Sequence, residues 1–110
     1  MNASPLIITL FGDSIQYMIK TFQDRRTETL FEKGGYKKVE KALAKKTSKQ
    51  LDRLNAAIKI EDLIFPPSNH FESLEGHNPT RYSIRVNKQW RISFEWLDND
   101  AYNVLFEDYH

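Results

Sequence analysis

Arg81, Ser83 and Arg85, then Arg91 and Ser93, recur two residues apart, and the chain ends on Asp108-Tyr109-His110. Residues two apart on an extended strand point to one face, so these runs define a single polar face that Tyr109, in the same odd-numbered phase, joins. Guanidinium groups grip phosphate oxygens through paired hydrogen bonds and stay charged at any relevant pH, so three arginines with two serines and a tyrosine suit a phosphodiester. Read this way, Arg81, Ser83, Arg85 and Ser93, with Lys88 from the adjoining turn, make an RNA-binding surface. Solvent-facing strand positions are also commonly charged or hydroxylated, and the pattern alone fits plain surface equally well. Histidine titrates near neutral pH, which qualifies His110 for proton transfer in phosphate chemistry, although a histidine at a chain end is as readily a frayed terminus.

Other chemistries are poorly served. The chain has no cysteine, hence no disulfide, thiolate zinc site or cysteine nucleophile, and a reducing compartment suits it. His70 and His77 lack the paired spacing of metal ligands, so neither a metal nor a cofactor is expected. Glu72, Glu75, Glu95, Glu107 and Asp108 are scattered over strand positions and turns rather than focused by an apolar pocket, which argues against a two-carboxylate hydrolase. The 4 glycines form no phosphate loop, and no serine elbow occurs.

At 110 residues the expectation is one domain with a modest core and a shallow, open site. The net charge of +1 conceals a division: residues 18–65 carry 12 basic and 7 acidic groups, and residues 66–110 carry 4 and 7. A basic half points to a polyanion or an acidic partner, although a lysine-rich helix face is more often solvated surface. Pro5 to Phe11 is too short to span a bilayer and no Lys or Arg precedes it, so the protein is expected to be soluble and cytoplasmic.

Positioning these side chains requires helices and a sheet. Residues 1–17 contain no Lys or Arg and no clear period, so a loosely held extension is expected, with Met18 as a candidate functional start of a domain over 18–110. The alternative is that Ile7 to Leu10 pairs as an edge strand. Ile19 to Phe22 alternates like a short strand, Asp24 is placed to cap a helix running to Lys33, and Gly34-Gly35 ends it. A second helix carries Tyr36, Val39, Leu43, Leu51, Leu54 and Ala57-Ile58 at three- and four-residue spacing, with Lys38, Lys41, Lys45 and Lys49 on another side. After Pro66-Pro67-Ser68-Asn69 the period becomes two. Tyr82, Ile84 and Val86, then Trp90, Ile92, Phe94 and Trp96, then Tyr102, Val104 and Phe106 alternate with polar neighbours, and Asn87-Lys88 and Asp98-Asn99-Asp100 turn the chain between them. The reading is an α+β chain in which even-numbered residues pack on the helices and odd-numbered ones stay open.

From Met18 to His110 the sequence resembles the HigB branch of the RelE and ParE toxin superfamily. The likeness rests on Ile19-Lys20-Thr21-Phe22; on Leu54-Asn55-Ala56-Ala57 with Asp62-Leu63 and Pro66-Pro67; on Tyr82 to Asn87 with Gln89 to Phe94; and on Asp108-Tyr109-His110. It implies a RelE-like fold, with two N-terminal helices packed on one face of a mainly antiparallel, twisted sheet of four to five strands and a concave opposite face for the ribosomal A site. It further implies the toxin of a type II toxin–antitoxin system: an mRNA endoribonuclease, independent of metal, in which a ribose 2′-hydroxyl attacks the neighbouring phosphate. Carried over by position, Arg91 stabilises the crowded phosphate, Tyr109 positions the 2′-hydroxyl or moves its proton, and His110 assists proton transfer. The implied partners are a HigA-like helix-turn-helix antitoxin, the ribosome, mRNA and, through the antitoxin, operator DNA. Where some relatives place a lysine and, three residues earlier, a histidine, this chain has Glu75 and Glu72. Either Arg81 and Arg85 take over or the activity is weak. A gyrase-binding toxin of the ParE kind and a weakly toxic regulatory partner are the competing expectations.

Overall fold

Asp24 opens the first helix, its carboxylate accepting from the Thr27 N–H at 2.8 Å and the Thr27 hydroxyl at 2.6 Å. The computed structural model describes residues 18–109; the extension expected over residues 1–17 and the expected role of His110 lie outside the described residues. Helix α1 runs Arg25–Lys33 and stops at Gly34, whose φ of 74° is left-handed and whose N–H returns to the Leu30 carbonyl. It begins and ends where the sequence predicts.

Helix α2, Lys41–Ala56, starts later than the apolar spacing suggests. The Glu40 carboxylate accepts from the Ala42 and Leu43 N–H groups, which fixes the start there and holds its carboxyl below the ordinary glutamate range. Tyr36 and Val39 therefore precede the helix and pack half-buried against the core, while Ile58, expected on the buried stripe, lies beyond the end and is 70% exposed. Ala44, Thr47, Leu51 and Leu54 form the buried stripe.

Two 3-10 turns, Ile60–Ile64 and Pro67–Asn69, follow where the sequence suggested only a break. The side chain of Asn69 organises them. It is fully buried, its Nδ2 donates to the Leu63 and Phe65 carbonyls, and its Oδ1 accepts from Gln50 Nε2 and Arg53 Nη1 of α2, each within 3.1 Å.

The sheet is a meander in the order β1 (Glu72–Leu74), β2 (Arg81–Arg85), β3 (Trp90–Leu97) and β4 (Asp100–Asp108), antiparallel throughout. Four strands satisfy the lower figure expected. Ile19 to Phe22, predicted as a strand, instead makes two isolated parallel bridges to the edge of β4, at Ala101 and Val104. Asp98 and Asn99 both adopt positive φ, as a two-residue hairpin turn needs.

The predicted alternation holds on β2 and β3 and breaks on β4. Asn103 has a φ of 50° at a register shift, so Tyr102 faces Glu95 instead of turning inward, and Ala101 takes the core position opposite Trp96. The freed Asn103 N–H is met by the Thr21 hydroxyl at 2.8 Å. Leu30, Leu51, Leu54 and Leu63 then pack with Ile84, Ile92, Phe94, Val104 and Phe106 in one core between helices and sheet. Thr27 and Arg26 seal α1 to β4, one accepting from the Phe106 N–H and the other donating to its carbonyl. Among the described residues no helix is long and apolar enough to cross a membrane.

Replacing Asn69 by leucine keeps the bulk and deletes four hydrogen bonds at a buried site, so Asn69→Leu is expected to lose about 2–4 kcal/mol. Urea unfolding measures this; an unchanged midpoint would mean that the amide does not hold the turns to α2.

Candidate functional site

On the sheet face turned away from the helices, antiparallel register stands Arg85, Arg91 and Glu107 in one row and Glu72, Ser83 and Ser93 in the next. Arg91 is 4% exposed. Its Nε donates to the Ser83 hydroxyl at 2.8 Å and its Nη2 to the His70 carbonyl at 2.7 Å. That carbonyl is aimed by the left-handed His70, with a φ of 43°, which closes the Pro67–Asn69 turn. Two bonds on different nitrogens fix the plane of the guanidinium, and among the described residues nothing takes the Nη1 hydrogens. The Tyr109 ring covers the group, with the guanidinium carbon 4.5 Å from the ring centre. Tyr109 is itself held by its N–H, which donates to the Gln89 carbonyl at 2.6 Å, and the residue is 46% exposed.

The face is not open along its whole length, which corrects the sequence reading. Arg81, Ser83, Arg91 and Ser93 are all buried, and they bond one another, Arg81 to Ser93 and Arg91 to Ser83. Arg81 forms a 3.3 Å ion pair with Glu95, donates to the Ser93 hydroxyl at 2.9 Å and reaches the Asn103 carbonyl at 2.8 Å. Ser93 in turn donates to Glu107. Buried charge is tolerated when it is paired in this way, and a guanidinium so committed has little left for a ligand. Arg81 and Ser93 thus brace the sheet, and of Arg81 and Arg85, the two arginines expected to take over from the lysine, only Arg85 lines a cleft beside Arg91 and Tyr109.

The pair of Arg91 and Tyr109 stands between two clefts. One, of about 280 Å³, has Glu75, His77, Ser83, Glu107 and Asp108 in its walls. The other, of about 230 Å³, has Arg85, Lys88, His70 and Glu72. Arg85 is held by its Nε on the Asn87 carbonyl, and its Nη1 lies 3.3 Å from His70 Nε2. The predicted residues Arg85, Arg91, Lys88, Ser83 and Tyr109 therefore gather at one place, and His110 follows Tyr109 outside the described residues.

Sequence reasoning missed three contributors. The Tyr109 hydroxyl makes a long 3.4 Å contact to Glu72 Oε1, His70 supplies the carbonyl under Arg91, and His77 enters the first cleft. Glu72 was discoverable from its departure from the family pattern. A main-chain carbonyl leaves no trace in side-chain spacing. The assembly offers an oriented, half-used guanidinium beside an exposed phenol, with a carboxylate at the phenol oxygen. It can bind one anionic oxygen group and hold a hydroxyl next to it.

A model of the RelE-like toxins of the type II toxin–antitoxin system HigB matches residues 20–110. The chain is 35% identical over 91 residues to "Toxin HigB-1" of Vibrio cholerae, covering 82% of this chain and 96% of that protein. It is 32% identical over 96 residues to "Endoribonuclease HigB" of Proteus vulgaris, covering 84% of this chain and 100% of the relative. A protein of Haemophilus influenzae is 38% identical over 72 residues, which is 66% of this chain and 71% of that one. With the match running through both helices and all four strands to the Arg91–Tyr109 site, this chain belongs to the HigB-like family of RelE-like toxins of type II toxin–antitoxin systems.

Proposed function

We propose that this toxin is an endoribonuclease that cuts mRNA on the ribosome, with the Arg91–Tyr109 pair at the reacting phosphate. The observation that carries the reading is the guanidinium pinned by Ser83 and the His70 carbonyl beneath an exposed tyrosine. The relative named "Endoribonuclease HigB" supports the class of reaction.

The ribose 2′-oxygen attacks the adjacent phosphorus, the bond from phosphorus to the 5′-oxygen breaks, and a cyclic phosphate and a 5′-hydroxyl result without a metal ion. The proton leaves the 2′-hydroxyl, and another must reach the departing 5′-oxygen. Arg91 meets the charge that collects on the non-bridging oxygens, a task for donors already aimed before reaction. Tyr109 sets the 2′-hydroxyl in line, with Glu72 as acceptor at the phenol, and His110 assists proton transfer at the chain end. Arg85 and Lys88 hold the strand beside the reacting phosphate.

In the cell the toxin acts in the cytoplasm on ribosomes and is held in check by a HigA-like helix-turn-helix antitoxin, which also links it to operator DNA. Glu75 on the first cleft and Glu72 at Tyr109 favour the second reading, a non-cleaving toxin that binds gyrase, since carboxylates there repel a phosphodiester.

Mapping 5′-hydroxyl ends on translated mRNA after expression distinguishes the two. Cut ends are expected with the wild type, and the Arg91→Ala, Tyr109→Ala double variant is expected to lose at least about a hundredfold in rate. Equal cutting by that variant would sink the assigned roles, and intact mRNA with double-strand DNA breaks would replace cleavage by gyrase poisoning. Ser83→Ala keeps Arg91 but frees its Nε, and an approximately tenfold drop in rate is expected, the equivalent of roughly 1.4 kcal/mol for one bond to a charged group. An undiminished rate in a folded Ser83→Ala protein would mean that the serine does not position the arginine.

A further inference from the structure

A third cleft, of about 310 Å³, lies between α2 and the Pro67–Asn69 turn, and its walls hold Lys46, Lys49, Arg53 and Arg85 with no carboxylate. Lys46, Lys49 and Arg53 are three and four residues apart, so they line one side of α2 over roughly 10 Å. All three are exposed, and among the described residues none of the four cations forms an ion pair. Like charges gathered without counter-charges cost free energy in the isolated protein, and a bound polyanion relieves that cost.

The cleft is also built rather than merely charged. Arg53 Nη1 is anchored to the buried Asn69 and to Gln50 Oε1, which leaves its Nη2 and Nε for a ligand. Gln50 Nε2 ties the same Asn69 to the Arg85 carbonyl at 2.7 Å, so the helix, the turn and β2, whose backbones carry the cations, stand in fixed relation. Arg85 is common to this cleft and to the one beside Arg91 and Tyr109, which makes the basic surface continuous from one to the other.

We propose that this cleft is a second binding site for the phosphodiester backbone of RNA, holding the same strand whose reacting phosphate sits at Arg91 and Tyr109. It rests on the reading that the protein engages RNA, and it adds where the strand goes. From Arg91 the backbone turns past Arg85 and runs along Lys46, Lys49 and Arg53. Contacts of this kind are blind to base identity, so the site contributes affinity and direction, not sequence choice.

The test removes two exposed charges at helix positions that glutamine tolerates, Lys46→Gln and Lys49→Gln together, with Lys37→Gln and Lys38→Gln as a pair of equal charge change outside the cleft. Anisotropy over a salt series is measured with a fluorescent 2′-O-methylated dodecanucleotide, which has no 2′-hydroxyl to attack and cannot be cut. The cleft pair is expected to bind about tenfold more weakly, with the slope of log affinity against log salt reduced by about 1.4 for two lost single-strand contacts. The outside pair is expected to stay within about twofold of wild type. Equal losses in both pairs, or no loss in the cleft pair, overturn the proposal. Loss confined to ribosomes lacking mRNA, with oligonucleotide binding intact, overturns it in favour of ribosomal RNA, and loss confined to the antitoxin overturns it in favour of an acidic protein. Reduced oligonucleotide binding by the cleft pair, with no 5′-hydroxyl ends made by wild type, keeps the site and removes the cleavage reading. Cutting by wild type with unchanged binding by the cleft pair does the reverse.

Discussion

The buried side chain of Asn69 is the constraint on which the site depends. An amide taken out of water is costly unless each of its hydrogen-bonding positions is filled, and here two carbonyls of the linker and two donors of α2 fill them. That requirement leaves the linker one way to lie against the helix. The next residue, His70, then adopts its left-handed backbone and presents its carbonyl to Arg91. Gln50, which donates to Asn69, also donates to the Arg85 carbonyl, so the strand carrying the second arginine is registered against the same amide. Two arginines on different strands are thus referred to one residue that faces neither cleft beside Tyr109.

The arginines of the sheet share a residue type and a parity but not a role, and burial with counter-charge decides which does what. Arg81 sits among Glu95, Ser93 and the Asn103 carbonyl, where the bulge on β4 delivers an unpaired carbonyl to it. A buried pair of this kind gives little net stability compared with apolar packing, but removing one partner strands the other, so it fixes arrangement more than it adds free energy. Among the described residues Arg91 has no carboxylate at hydrogen-bond distance; its partners are a hydroxyl and a carbonyl, which orient it without an ion pair. Among the described residues the sheet therefore contains one arginine in an ion pair, Arg81, and, two same-face pairings further along, two without one, Arg85 and Arg91.

Much of this was legible in the sequence where a local rule governs. Asp24 and Gly34-Gly35 bound α1 because capping chemistry is decided within a single turn, and the period of two marked β2 and β3 because a half-buried strand must alternate. Failures fall where a cap, a bulge or a short strand departs from the apolar pattern. Tyr36 and Val39 continue the helical spacing of α2, yet the Glu40 carboxylate caps the helix after them. The positive φ of Asn103 shifts β4 by one, and no apolar pattern announces it. Strand β1 is three residues long, too short for any period to show, and so Glu72 was read only as a family departure rather than as the neighbour of Tyr109. The meeting of Arg91 and Tyr109 was accessible from parity, because Arg91 pairs with Glu107 and Tyr109 lies two residues further on the same face.

Carboxylates around a proposed phosphate site look self-defeating until each is followed to its partner. Glu107 accepts from Ser93, Asp108 accepts from Gln89 Nε2 at 3.0 Å, and Glu72 faces the Tyr109 hydroxyl. A carboxylate with a donor in place projects a weaker field than a bare one, and at physiological salt any field fades within about 8 Å. Among the described residues only Glu75, of the acidic groups on these clefts, lacks such a donor, and it lies on the side of Arg91 away from Arg85 and Lys88. The uncompensated charges are therefore sorted to opposite sides of the Arg91–Tyr109 pair, negative on one and positive on the other. A net charge of +1 conceals that sorting, yet the sorting is what a polyanion crossing the pair would meet. On the RNA-cleaving reading proposed for this site, that sorting sets a direction, with the backbone entering or leaving over Arg85 and Lys88 and away from Glu75.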